Sequence, residues 1–204
     1  MAEIMDYVNA VLIGGMLMLN VLSANEVATE THSTFNGDVL VQEMLITTAQ
    51  YVEGEFRNIG FGVPELETAT LNAGSSNLSF LIDLDRDGGT LDTVRYWLGD
   101  STDLARTMNP HDRYLQRSVN GGTPTPVGVV TQFRLRYLTG SGELLSTPVD
   151  PGRLSEVRQI EITMEVQNPY ALQSNTTSLA ESQTGMFSSS VWQQTRLASQ
   201  NLRR

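Results

Sequence analysis

The chain of 204 residues is long enough for one ordinary domain, and it has a net charge of -10 at pH 7 with a pI near 4.6. This acidity argues against binding to the phosphates of a nucleic acid. The chain contains no cysteine, which excludes disulfide bonds and thiolate metal sites. All 13 basic residues are Arg, and the first is Arg57. The charged side chains of the first 56 residues are therefore all acidic.

The first predicted element is an apolar helix over residues 7–24, YVNAVLIGGMLMLNVLSA. This segment has no Arg, Asp or Glu, and its aliphatic side chains surround all sides of a helix. As a helix it would be roughly 27 Å long, close to the thickness of the hydrocarbon core of a bilayer. We therefore expect it to lie in lipid or inside a bundle of other apolar helices.

Six residues near the start of the chain are candidates for contacts between such helices. Two adjacent glycines permit close approach of a second helix, and two asparagines inside the apolar segment need polar partners across an interface. Two acidic residues suit the N-terminal end of the helix dipole, or they meet the N-terminal amine of a neighbouring subunit. These candidate assembly residues are Glu3, Asp6, Asn9, Gly14, Gly15 and Asn20.

The chain then becomes polar, and we call residues 25–37 the polar joint. Asn36 and Gly37 predict a break in the helix here, with Asp38 as the cap of the next helix. The predicted domain organisation is a stalk over residues 1–37, made of the apolar helix and the polar joint, and a globular head over residues 38–204.

An amphipathic helix over residues 38–60 opens the predicted head, and the glycines and proline of residues 60–64 end it. Apolar residues recur at three- and four-residue spacing, which predicts one buried stripe that packs on a sheet. The stripe consists of Val41, Leu45, Thr48, Val52, Phe56 and Ile59, widened by Leu40, Met44 and Ala49.

After Pro64 the pattern changes to the alternation typical of strands. Residues 169–190 are rich in Ser, Thr and Gln and predict a loop. On the strands, Arg side chains are expected to point outward and to pair with Glu161 and Glu165 across the sheet. Helix first and strands after predict an α+β fold with a sheet over residues 75–204. The predicted strands are residues 78–82, 93–98, 113–118, 129–138, 157–166 and 191–202.

The order of these elements resembles the type IV pilin-like superfamily, above all minor pilins of the W type and the J-type pseudopilin of type II secretion. After the apolar helix come QYVEGEFRNIGFG, FLIDLDRDGGTLDTVRYWLGD, RYLQRS, GVVTQFRLRYL and SEVRQIEITMEV, and the resemblance is best over residues 41–166. It implies a long N-terminal helix, apolar in its first half and amphipathic in its second, packed on an antiparallel sheet head.

The resemblance also implies a function. The chain would be a non-enzymatic subunit of a type IV pilus-like or pseudopilus filament, assembled through its apolar helix with other copies or other pilin-like subunits. It would be anchored in the cytoplasmic (inner) membrane with an extracytoplasmic head, or lie in an extracellular filament.

The sequence departs from the family's processing signature, which is a basic leader ending in Gly before Phe and a Glu five residues into the mature chain. No basic residue precedes the apolar helix. No residue of this sequence can therefore be assigned the role of the family's Glu, which sets the register of the filament. Glu3 and Asp6 are candidates only because they lie near the start of the apolar helix. This departure fits one alternative, a structural protein of a virus or phage-like particle with a membrane- or bundle-embedded helix. A second alternative is a membrane-anchored binding or hydrolytic module.

An acidic segment between the first two predicted strands, DLDRDGGTLD, resembles the first half of a calcium loop. Its carboxylates recur at every second residue and Gly follows at the sixth position, but the twelfth position is Val94 instead of the closing Glu. The alternative is a solvated hairpin turn. Candidate Ca²⁺ ligands are Asp83, Asp85, Asp87 and Asp92.

Candidate catalytic groups are few. His32 and His111 are the two histidines, and each lies in a polar segment without a second metal ligand or nucleophile in a recognisable spacing. No phosphate loop or dinucleotide-binding fingerprint is present. The sequence therefore predicts that the protein is not an enzyme.

Overall fold

The computed structural model describes residues 2–104, 107, 109–168, 172–173, 186–187 and 190–203. It has the predicted α+β fold, with one long N-terminal helix, α1 (Ala2–Phe56), followed by strands. Short 3-10 turns cover Ser101–Leu104, Pro151–Glu156 and Gln200–Arg203. The strands are β1 (Thr70–Ala73), β2 (Asn77–Ile82), β3 (Asp92–Leu98), β4 (Arg113–Val119), β5 (Thr125–Val130), β6 (Gln132–Leu138), β7 (Gln159–Gln167), β8 (Leu172–Gln173), β9 (Met186–Phe187) and β10 (Ser190–Leu197).

The predicted break at Asn36 and Gly37 is wrong, because α1 continues through both residues. Gly37 lets Asn168 pack directly against the helix, since a Cβ at this position would lie 2.5 Å from the Oδ1 atom of Asn168. Asp38 lies inside the helix and does not cap it. A glycine inside a helix costs about 1 kcal/mol relative to alanine, and the contact it permits supplies the compensation.

Burial along α1 changes at Gly37, which is the first buried residue from Ile4 onward. The predicted stripe is buried from Val41 to Ile59, and Ala49 belongs to it with no exposure. The helix ends at Phe56, before the predicted end at residue 60, so Ile59 is buried in the turn that follows α1. Leu40 and Met44 do not, because they are 55% and 43% exposed. At about 100° per residue, both lie on a flank of the helix that the sheets do not cover.

The strands form two larger sheets and a short pair, all antiparallel. Sheet A has the order β1-β2-β3-β4-β5, sheet B has the order β10-β7-β6, and β8 pairs with β9. α1 packs on β5, β7 and β10 and so contacts both larger sheets.

The strand predicted over residues 129–138 is divided between the two sheets. β5 ends at Val130 in sheet A, and β6 begins at Gln132 in sheet B. Thr131 lies between them, and its backbone N–H and hydroxyl donate to the carbonyl oxygen of Glu165 at 2.8 and 3.0 Å. One continuous stretch of the chain therefore supplies strands to two sheets.

The predicted last strand, residues 191–202, ends early at Leu197. The chain then returns to the turn that follows α1, where the Ser199 hydroxyl donates to the carbonyl oxygen of Ile59 at 2.8 Å. β1 was not predicted, because four residues with two exposed in the middle give no alternation. Most of the predicted loop over residues 169–190 lies outside the described residues.

The core forms where the stripe of α1 meets the inner faces of both sheets. Phe56 at the end of the helix contacts Phe80 and Tyr96 of sheet A edge-on, with ring centroids 5.7 and 5.3 Å apart. Buried Tyr137 of β6 donates its hydroxyl to the carbonyl oxygen of Gly74 at 2.8 Å. The buried aromatic rings thus hold the end of α1 at a fixed position on the head.

Candidate assembly surface and acidic loop

The apolar half of α1 is not covered by the rest of the described chain. Ile4, Leu12 and Leu19 are 69%, 59% and 68% exposed. Among the described residues, one helix is long and apolar enough to cross a membrane, and its qualifying 18-residue window has a mean hydropathy of 1.7 and is 0% buried. An exposed apolar surface of this size is typical of a site of contact with a membrane or with another protein.

The candidate assembly residues lie on this uncovered helix. Asp6, Asn9 and Asn20 are exposed, and a Cβ at Gly14 or Gly15 would meet no atom within 4 Å. The side chain of Glu3 lies outside the described residues. No contact within the chain brings these residues together in the described part, so their role in assembly stays a prediction.

Asn168 fixes the point where α1 enters the head. It lies just after β7 with no exposure, and its Nδ2 atom donates to the carbonyl oxygen of Thr34 at 3.0 Å and to Oδ1 of Asp38 at 2.8 Å. The missing side chain of Gly37 gives it room. Sequence reasoning missed this contact because the partners are 130 or more residues apart.

A charged cluster anchors the other end of α1 to sheet A. The Glu55 carboxylate accepts hydrogen bonds from Nη2 and Nε of Arg117 at 2.6 and 2.9 Å and from the hydroxyl of Tyr96 at 2.5 Å. Burial, together with the charge of Glu55, raises the pKa of Tyr96, and the hydrogen bonds that Arg117 donates to Glu55 raise the pKa of Arg117. Arg117 therefore stays charged and Tyr96 stays neutral as a donor.

A second polar contact ties α1 to sheet B. The Glu53 carboxylate accepts hydrogen bonds from Nε2 of Gln193 at 3.0 Å and from the hydroxyl of Thr195 at 2.7 Å, both on β10. Neighbouring acids on α1 thus bind different sheets, which fixes the rotation of the helix about its axis. The sequence predicted a last strand here but not this pairing, because Glu53 and its partners are 140 or more residues apart.

The acidic loop joins β2 to β3. Asp83, Asp85 and Asp87 each place a carboxylate oxygen within 4.8 Å of the others, a spacing that suits a hard cation. Asp83 is buried, and its two oxygens accept hydrogen bonds from the backbone N–H groups of Arg86 and Gly88 at 2.8 and 3.0 Å. Asp85 and Asp87 are exposed.

Asp92, the fourth candidate ligand, lies in a separate network. Its Oδ1 accepts a hydrogen bond from Nδ2 of Asn120 at 2.7 Å, and its Oδ2 accepts one from the backbone N–H of Leu84 at 3.3 Å. These bonds close the hairpin without a metal. Both predictions for the segment, a calcium loop and a solvated turn, are compatible with this geometry.

The two histidines lie in different parts of the molecule. His32 is exposed on the polar joint, where its Nδ1 atom is 2.9 Å from Nδ2 of Asn36. His111 lies in the turn before β4, and its backbone N–H donates to Oδ1 of Asn109 at 2.9 Å. Neither belongs to the potential metal-binding group of the described residues.

The outer face of sheet B carries the expected pairing of Arg with Glu161. Nη1 of Arg136 and Nη2 of Arg196 lie 3.2 and 3.1 Å from its carboxylate. Burial of this carboxyl group raises its pKa, but hydrogen bonds from Arg196 and Gln194 and the charge of Arg136 outweigh that effect, and the pKa lies below its ordinary value. For Glu165 the described partner is the amide of Gln167, at 3.0 Å.

No protein-family model matches the chain, and no curated protein is similar enough to match. Among solved structures, the chain is similar to a type IV-like pilin from Thermus thermophilus, with 14% sequence identity and a TM-score of 0.49 over 80% of this chain and 98% of that chain. Apart from that likeness, the described elements confirm the plan that the pilin-like resemblance implied: one long N-terminal helix with an antiparallel sheet head.

Proposed function

We propose that the protein is a structural subunit of a type IV pilus-like filament, held and assembled through the apolar half of α1. The observation that carries this proposal is the exposure of that half along its whole described length, from Ile4 to Leu22. The head buries its own core with the second half of the same helix, so it offers no cover for the first half.

The energetic argument follows from the area involved. Burial of apolar surface stabilises by about 25 cal/mol per Å², and every turn of the apolar helix presents aliphatic side chains to the surroundings. A bilayer would bury this apolar surface in a single subunit, and a bundle of the same helices would bury it in a filament. The same helix would therefore serve first as a membrane anchor and then as the assembly element.

The finer parts of the proposal concern location and partners. We expect the head to lie outside the cytoplasmic membrane or on the surface of an extracellular filament, with partners that are further copies or other pilin-like subunits. A minor-pilin or pseudopilin role belongs to the same proposal. A non-enzymatic role is part of the same proposal.

The test is to recover the full-length protein from its native cells in three fractions: membranes, sheared surface fibres and purified particles. The proposal predicts recovery in membranes and in sheared fibres. Recovery in virus or phage-like particles would instead support the alternative that the protein is a particle subunit. A freely soluble monomer in the absence of detergent would contradict both.

For the acidic loop we propose that Ca²⁺ binds between Asp83, Asp85 and Asp87 and rigidifies the turn between β2 and β3. The close spacing of the three carboxylates supports this proposal. The exposed pair, Asp85 and Asp87, would gain most, because a cation offsets their mutual repulsion.

A further inference from the structure

The polar joint carries acidic charge that nothing in the described chain neutralises. Glu26 and Glu30 are exposed and four residues apart, so they lie on the same side of α1. Neither forms an ion pair within the described residues, whereas Glu53 and Glu55 pair with Arg57 and Arg117. Like charges at this spacing destabilise a helix slightly, so a cation beside this pair would stabilise the segment.

The head presents the opposite charge on the outer face of sheet B, which we call the arginine face. Arg134 forms no ion pair or hydrogen bond within the described residues, although Arg136 follows it on the same side of β6. Three guanidinium groups stand here against two carboxylates in a chain whose net charge is -10. The face consists of Gln132, Arg134, Arg136, Glu161, Thr163, Glu165, Trp192, Gln194 and Arg196.

Trp192 adds an apolar component to the arginine face. It is 64% exposed, and on β10 it lies directly opposite Glu165. Exposed aromatic rings next to Arg are common in protein interfaces. The face therefore has the composition of a contact surface for an acidic partner.

Assembly of the apolar helices would bring the polar joint and the arginine face to the same level. A sheet head is wider than a single helix of about 10 Å, so displacement of neighbouring subunits along the bundle axis lets their stalks pack closely without a clash between heads. The polar joint is 13 residues long, or roughly 20 Å as a helix. A neighbour displaced by such a distance places its head beside this segment.

We propose that the arginine face of one subunit binds Glu26 and Glu30 of the polar joint of a second copy of this chain. The inference rests on the proposed filament function and adds to it the contact that sets the axial displacement between neighbours. The carboxylates of the joint form ion pairs with Arg134 and, at the edge of the Glu161 network, with Arg136 or Arg196. The first 56 residues contain no Lys or Arg, so the stalk itself cannot supply the positive charge.

A cysteine cross-link tests the contact, because the chain has no cysteine of its own. Ser33→Cys lies one turn from Glu30 on α1, and Gln132→Cys lies two residues from Arg134 on the same face, so both variants keep the charges. In full-length protein assembled in native filaments, we expect oxidation to link the double variant into chains of two or more subunits. The matched control combines Ser33→Cys with Thr123→Cys, which is exposed in the turn between β4 and β5, and should not cross-link.

Charge reversal tests the same contact without cysteine. Arg134→Glu or Glu30→Arg should each raise the concentration needed for assembly by about threefold, the modest effect of an exposed ion pair, and the two reversals together should restore it. Arg113→Glu and Glu65→Arg are matched controls on exposed positions elsewhere in the head. Melting temperatures of all variants show whether the head still folds.

The outcomes separate this inference from the proposed function. If filaments sediment but the cross-link does not form and the double reversal does not restore assembly, the proposed contact is wrong. The proposed filament function would still hold. Failure of the parent chain to sediment would overturn the proposed function itself. Cross-linking to a different protein instead of a second copy would also overturn the contact as proposed.

Discussion

A few residues determine where α1 is attached to the head. Asn168 and Gly37 mark the entry of the helix into the head, and Glu55 holds its end through Arg117 and Tyr96. Each contact joins residues more than 40 positions apart in the chain. The helix is therefore positioned by a few polar contacts at its two ends as well as by the apolar stripe between them.

Gly37→Ala should destabilise the head by about 1–3 kcal/mol, the usual cost of overpacking. The added methyl group would lie 2.5 Å from Oδ1 of Asn168, which cannot retreat without losing its bonds to Thr34 and Asp38. Thermal unfolding in detergent measures the change. Gly54→Ala is the control, because no atom lies within 4 Å of its Cβ and the gain in helix propensity should stabilise by about 0.5–1 kcal/mol. Equal effects of the two substitutions would contradict the contact.

Glu55→Gln should cost about 1.5–3 kcal/mol, the range for hydrogen bonds to charged groups. The amide would leave the guanidinium of Arg117 without its counter-charge in a site where both side chains are 17% exposed. Denaturant unfolding of the full chain is the measurement. Glu156→Gln, which removes the exposed pair with Arg153, should leave the stability unchanged, and a similar loss in both variants would show that burial does not matter.

At the scale of elements, sheet B depends on Glu161 being ionised. Its pKa is lowered in the folded protein by Arg196, Gln194 and Arg136, so its contribution is complete above the ordinary value of about 4.5 and is lost as pH falls through the lower folded value. Parent and Glu161→Gln should therefore differ in stability at neutral pH and converge in acid. The comparison is chemical denaturation at a series of pH values, and a constant difference down to pH 2 would refute this role.

The acidic loop is the element for which a ligand is proposed. Millimolar Ca²⁺ should raise the melting temperature of the parent, with a stabilisation of about 2.7 kcal/mol when the ion is present at a hundred times its Kd. Asp85→Asn combined with Asp87→Asn should abolish the shift, while Glu65→Gln combined with Glu67→Gln should leave it intact. If Ca²⁺ changes neither the melting temperature nor the heat of titration, the loop is a hydrogen-bonded turn alone.

The division of sheet A from sheet B is an element-scale feature that alternation could not predict. Residues 133–137 alternate, whereas Thr131 and Gln132 are two polar residues in succession, and the pairing of β5 with β4 and of β6 with β7 shows that the chain changes sheets there. Periodicity records which side of a strand is apolar. It does not record which other strand is its neighbour, because pairing is a contact between distant parts of the chain.

For the whole molecule, the central expectation is that assembly and head stability are separate properties. Gly14→Leu should lower the sedimentable fraction of the full chain, because the larger side chain prevents close approach of a second helix. The melting temperature of the head should not change, since no atom of the described chain lies within 4 Å of a Cβ at this position. Ile13→Leu is a control of nearly equal volume in the same segment. Unchanged sedimentation of Gly14→Leu would exclude this glycine from the packing surface.

The sequence by itself determined the apolar first half of α1, the buried stripe of its second half and the faces of the main strands, because each follows from a local repeat of apolar residues. Only the tertiary structure decided that the helix continues through Gly37, that Leu40 and Met44 remain exposed, and that Glu55 binds Arg117. These features depend on what a distant segment places beside the residue. Asn168 needs the space that Gly37 leaves empty, and no local pattern contains that information.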